Sequence, residues 1–441
     1  MFPLRAGASP DDVFTKLEVR VCAPGRIISG TMNLVQVTQE SITIGQPLPF
    51  ALRDETGTLL ARKGFVIGDR GDLEAMRGRG RGFYVDISES DRHQKAFVGK
   101  LFELVRDERT LGKIAQAKMT TKDLGTSHAN TADGAPDWLD LQIEGNRLLR
   151  DVHMAHFPDE LERLHTRLSQ HSRRNADAAL FALFHLAASE LHLYSATHAM
   201  LVSVICGLTA REVLGWPDKM VETVCKAALT MNIGMSGLQD RLAVQHEAPS
   251  AVQRQQIAQH PERSIELLLK LGLHDPEWLE AVRDHHRTSA GDLGTRTPGQ
   301  RMARLIQRAD LFAARLSPRA SRRPSTAAAA MQACYFDESK KIDEAGAALI
   351  KAVGVYSPGS LVRLANLEVG IVVRRGANTT TPRVAILVNR DGFSTGEHVI
   401  RDTSQRELRI TSSVAQHECK VKINLERLLA LTTNVASGRP W

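Results

Sequence analysis

The sequence predicts a mainly α protein, an all-helical domain flanked by a small N-terminal α/β module and a small C-terminal β module. Three observations carry that prediction. From Trp138 to about Val353 apolar residues recur at three- and four-residue steps, as at Leu161, Leu164 and Leu168, the spacing that lines one face of a helix. Before that stretch, and after the breaker Ser357-Pro358-Gly359, short β-branched runs alternate with Gly and Asp turns. The 441 residues suffice for two or three domains, and 42% hydrophobic with 24% charged is an ordinary balance for a chain that buries a core.

Residues 1–119 form the N-terminal region, with the α/β module at about 41–87. There 42–44, 48–52, 58–61, 65–67 and 83–85 read as strands, Asp54-Glu55-Thr56-Gly57 as a hairpin turn, and 73–76 as a short helical stretch. Residues 120–137, rich in Thr, Gly, Asn and Asp without periodicity, read as a linker. The helical domain takes 138–356 and the β-rich extension 357–441, with strands at 361–364, 369–373, 383–388 and 407–410.

Several function classes are disfavoured. The stretch from Phe181 to Leu208 carries one formal charge, Glu190, but its histidines and hydroxyls make it two packed helices rather than a membrane span. With no apolar signal core at the N-terminus, the cytoplasm is the expected compartment. Five scattered cysteines, never spaced C-x-x-C, argue against a disulfide framework or a thiolate zinc site. A net charge of +7 and a pI near 9.2 raise nucleic-acid binding as a weaker alternative. The basic clusters are small, however: Arg77, Arg79 and Arg81; Arg319, Arg322 and Arg323; Arg374 and Arg375. Without interleaved aromatics they read as solvated surface.

Among sixteen histidines one group has ligand spacing: His260, followed by Pro261 and Glu262, the pair His285 and His286, and then Asp310. Adjacent histidines point apart on a helix, so the pair carries information only near a helix end that faces a shared cavity. His274-Asp275 is a literal His-Asp dipeptide, but it precedes Pro276 at a turn and reads as unrelated.

The order and spacing of five segments resemble the HD-GYP family: residues 193–198 ending in His198, residues 226–235, His260-Pro261-Glu262, His285-His286-Arg287, and Arg308-Ala309-Asp310. The similarity extends to Ser317-Pro318-Arg319, to residues 355–364, and to the module at 45–85. It implies a bacterial signalling protein, with a helical fold whose members hydrolyse cyclic di-GMP or related cyclic dinucleotides on two or three Mn or Fe ions. Such chemistry needs a metal-bound hydroxide and a second positive centre for the leaving oxygen. Imidazoles hold the ions, a carboxylate bridges them, and a lysine faces the phosphate.

The sequence departs from that pattern at its centre. Where the family has His-Asp followed by Ile-Gly-Lys, Met231-Asn232-Ile233-Gly234-Met235 stands here. A thioether suits Mn or Fe(II) poorly, a neutral amide is no anionic bridge, and Met235 removes a cation. Arg287 and the residues after it replace a glutamate and an Asp-Gly-x-Gly-Tyr-Pro loop. Tyr194 stands where some members with a third metal carry glutamate.

His198, His260, His285, His286 and Asp310 survive as metal-ligand candidates, with no residue assigned as catalytic. They read as relics of an old pocket, so no cofactor is expected, one residual Mn or Fe ion being the alternative. The expected protein is a degenerate HD-GYP-type regulator, catalytically impaired, that senses a cyclic dinucleotide or docks a signalling partner. A metal-dependent phosphodiesterase is the competing expectation.

Overall fold

A computed structural model describes residues 34–37, parts of 42–86, and 138–433 apart from 151, 153–155, 190–192, 289–291, 420 and 422. The expected linker at 120–137, Arg79 and Arg81 lie outside the described residues. The chain divides into two compact units, Met1–Asn130 and Thr131–Trp441.

The first unit holds a four-stranded antiparallel sheet in the order β1-β4-β2-β3, from Leu34–Val37, Phe83–Asp86, Leu52–Arg53 and Leu59–Ala61, with helix α1 at Arg70–Arg77. The hairpin turn forms as its residues dictate. Asp54 accepts from the Thr56 N–H at 2.8 Å, and Gly57 takes the φ of 86° that favours glycine. Strand β1 falls outside the runs read as strands. Conversely, Ile42 and Ile44 lie in a bend and a turn, and only Leu52 of 48–52 joins a ladder. Phe65 and Ile67 also lie outside any strand, and a Leu48 N–H to Phe65 O bond of 2.9 Å ties that segment in. Ile42, Leu48, Phe50 and Ile67 are buried. Their apolar pattern reports anchoring in a core, which does not require strand pairing.

The second unit is mainly helical. Helix α2 (Trp138–Arg150), α3 (Phe157–Arg174) and α4 (Ala176–Ser189) lead to α5 (Tyr194–Leu208), every residue of which is buried. A helix apolar on all sides belongs at the centre, and α5 packs against α2, α4, α6 (Asp218–Thr230) and α11 (Pro298–Leu316). Between α6 and α11 come α7 (Ser236–Val244), α8 (Ala251–Ala258), α9 (His260–Lys270) and α10 (Pro276–Asp284). Helices α12 (Ala327–Tyr335) and α13 (Glu344–Val353) close the bundle. Among the described residues no helix is long and apolar enough to cross a membrane.

A five-stranded antiparallel sheet follows in the order β8-β7-β6-β5-β9, from Ile400–Asp402, Arg383–Val388, Val369–Arg374, Leu361–Leu364 and Ile410–Val414. Phe181 of α4 joins the core on one face of this sheet. The expected strand at 407–410 is corrected: Arg406–Leu408 is a 3-10 turn, and the strand begins at Ile410. The apolar residues there are too few to fix a boundary. Strand β8 and a final helix α14 (Leu425–Ala430) also went unforeseen.

Candidate functional site

The site assembles from helix ends. His260 opens α9, His285 follows the last residue of α10, and His286 comes next, so the His-His pair stands at a helix terminus. His260 and His285 are buried, His286 is exposed, and ligand nitrogens of all three lie within 4.8 Å of one another. The rings of His285 and His286 are 4.1 Å apart between centroids, and His260 meets His286 edge-on at 5.0 Å.

Backbone carbonyls fix the tautomers. His260 Nδ1 lies 2.5 Å from Ile257 O, and His285 Nδ1 lies 2.6 Å from Val282 O. A carbonyl only accepts, so each Nδ1 carries the proton and each neutral ring leaves Nε2 as a lone pair. Those two Nε2 atoms face each other at 3.2 Å. Bonding between them would need one ring charged. Burial opposes this, lowering the pKa of His260 to about 4 and, with the added push of His286 and His260, that of His285 to about 3. Converging lone pairs backed by Nδ1–H to carbonyl bonds are the donor arrangement of a cation site. The triad therefore fits one divalent ion.

His198 and Asp310 are engaged with each other. From the middle of α5, His198 Nε2 donates to Asp310 Oδ1 on α11 at 2.7 Å. Burial pushes the Asp310 carboxyl up, but the His198 hydrogen bond and charge outweigh it and hold the acid well below the usual carboxylate range. Tyr194 stacks on His198 with centroids 5.6 Å apart, and Arg319 donates to its hydroxyl at 3.0 Å with the guanidinium 5.2 Å from the ring centre. The place where some HD-GYP members carry a glutamate thus holds an aromatic ring covered by a built-in cation.

The altered segment packs into the helical core. Met231 is fully buried in the main hydrophobic core. Asn232 is 7% exposed, and its Oδ1 is buried without a hydrogen-bond partner. The retained Ile-Gly serves packing: Gly234 N–H donates to Ser264 Oγ at 3.0 Å, that hydroxyl donates to Met231 O at 2.9 Å, and a Cβ on Gly234 would lie 2.8 Å from Ser264 N. Only glycine allows so close an approach to α9.

Other motif residues are also structural. Arg308 is buried and bonds Phe336 O at 3.1 Å and Glu338 Oε1 at 2.9 Å. Asp275 caps α10 by accepting from Glu277 and Trp278 N–H, which accounts for the stray His-Asp dipeptide. Arg287 is 70% exposed and lies 3.4 Å from Asp284, while residues 289–291 of its loop lie outside the described residues. Of the basic clusters, Arg375 pairs with Asp177 and Glu212 at 2.7 and 3.0 Å. Sequence reading missed Arg150 and Arg241, which meet at one cleft although 91 positions apart, and no local signal marks them.

No family model matches the chain. Over 245 residues it is 24% identical to cyclic di-GMP phosphodiesterase PA4108 of Pseudomonas aeruginosa, a match covering 54% of this chain and 57% of that protein. It also superposes on Bd1817, an HDG"Y"P protein from Bdellovibrio bacteriovorus, with 16% identity and a TM-score of 0.37, covering 72% of this chain and 98% of that one. The latter score is too low to carry weight. The match supports a relationship between this chain and the HD-GYP family.

Proposed function

We propose that this chain, a relative of the HD-GYP family, is a degenerate member that binds a cyclic dinucleotide or a signalling partner without hydrolysing a phosphodiester. One observation carries the reading. At Asn232, where the family pattern puts the bridging carboxylate, a neutral side-chain oxygen stands buried and unpartnered, beside a Met231 that belongs to the core. Two dications held close together need an anion between them, and an amide supplies none.

The remaining residues support the same conclusion. Asp310, tied to His198 and shifted well below the usual range, is a weak base at neutral pH. Met235 contributes no charge for a phosphate. His260, His285 and His286 can hold one ion, which when bound would supply Lewis acidity. That triad favours a second reading, a phosphoesterase working with one metal.

The test is elemental analysis of purified protein beside binding and hydrolysis assays with cyclic di-GMP and a panel of phosphoesters in Mn(II) or Fe(II). The expected outcome is at most one ion per chain and no turnover. Metal-dependent cleavage of cyclic di-GMP that disappears in His260→Ala and His285→Ala would overturn the proposal. Turnover of another phosphoester with one ion per chain would support the second reading.

A further inference from the structure

A cleft of about 270 Å³ opens beside the altered segment, with Met235 in its wall. Three arginines from three helices line it: Arg150 at the end of α2, Arg241 of α7 and Arg263 of α9. Among the described residues no acidic and no aromatic side chain does.

The cations converge. A Cβ placed on Gly237 would meet Arg241 Nη1 at 3.6 Å and Arg150 Nη1 at 3.7 Å, so both guanidiniums lie over the same stretch of backbone. Arg150 is partly neutralised by Asp240 at 2.9 Å, whose other oxygen accepts from Ser195 N–H. Arg263 donates to Gln259 Oε1 at 3.2 Å, a neutral partner. The Arg241 side chain makes no hydrogen bond or ion pair among the described residues. Like charges gathered this closely repel unless an anion sits between them.

The backbone adds to the same field. Ser236, Gly237 and Leu238, the first residues of α7, line the cleft, and Met235 at the N-cap makes no side-chain capping bond. The positive end of a helix dipole favours an anion. Planar guanidiniums match phosphate oxygens in pairs.

We infer that this cleft binds the phosphoryl group of a nucleotide, recognising phosphate and leaving the base unread. It is smaller than the roughly 300–1,000 Å³ of a site that encloses a whole small ligand, and among the described residues it offers no aromatic platform for a base. The inference rests on the proposed binding role insofar as the ligand is a cyclic dinucleotide; the geometry itself asks only for a phosphate ester.

Calorimetric titration of the full chain with cyclic di-GMP, GMP and inorganic phosphate, at low and high salt, tests it. Arg241→Gln/Arg263→Gln is the variant, since both side chains are exposed and neither holds a buried partner. The expected result is nucleotide binding that phosphate competes away, that weakens with salt, and that falls about tenfold or more in the variant at unchanged melting temperature. Cyclic di-GMP affinity equal in wild type and variant would overturn the cleft while leaving the binding role standing. Hydrolysis of cyclic di-GMP alongside arginine-dependent GMP binding would do the reverse. Absence of binding by all three probes would remove the cleft and the sensing role together, leaving partner docking.

Discussion

Asp310 Oδ1 lies 2.7 Å from His198 Nε2, so the one carboxylate among the metal-ligand candidates is already hydrogen-bonded inside the protein. His198 is 1% and Asp310 19% exposed at the side chain. Asp310→Asn is expected to destabilise the fold by about 1–3 kcal/mol, because a buried charge-assisted bond is replaced by a neutral one at best. Urea unfolding of the metal-free protein measures this; an unchanged midpoint would show that the pair contributes little.

Acid should weaken the fold before it reaches the carboxylates. Burial lowers the pKa of His185 to about 4, as of His260, and that of His285 to about 3, against 6.5 for the free group. A depressed imidazole favours the unfolded state once protons are available, so stability is complete above about pH 6.5 and declines as pH falls toward the folded values. Each group contributes up to about 1.4 kcal/mol per pH unit in that window. Asp310 adds a loss in the same direction below its unfolded value near 3.8. Thermal melts of chelator-treated protein between pH 7 and 4 should show a steady fall in Tm, and a flat profile would contradict it.

Gly234→Ala is expected to cost about 1–3 kcal/mol, since the new methyl meets backbone at Ser264 N, which has no room to rotate away. Met235→Gln, on the cleft wall, should leave stability within about 0.5 kcal/mol. Chemical denaturation of the pair would expose an error if their order were reversed.

Restoring the bridge tests the metal argument directly. Asn232→Asp should raise the Mn(II) bound per chain above the wild-type value, because the added charge stands where a neutral oxygen now lacks a partner. Met231→His alone should instead destabilise by about 2–4 kcal/mol, placing a polar ring in the core. Elemental analysis and melting of both variants decide; unchanged metal content in Asn232→Asp would show that residue 232 does not occupy a bridging position.

Periodicity and motif order, read along the chain, were enough to identify the helical domain, the flanking β-containing modules and the kinship with HD-GYP proteins, because a core helix and a ligand motif are written in local spacing. The strand runs at 42–44 and 65–67 misled, because buried anchors such as Ile42 and Ile67 alternate like strands without joining a ladder. Only the tertiary structure decided that His260 and His285 turn their lone pairs toward each other, that Tyr194 lies between His198 and Arg319, and that Arg150 and Arg241 share a cleft. Each of these depends on which way helices from distant parts of the chain face when packed, and the spacing within any one segment holds no information about that.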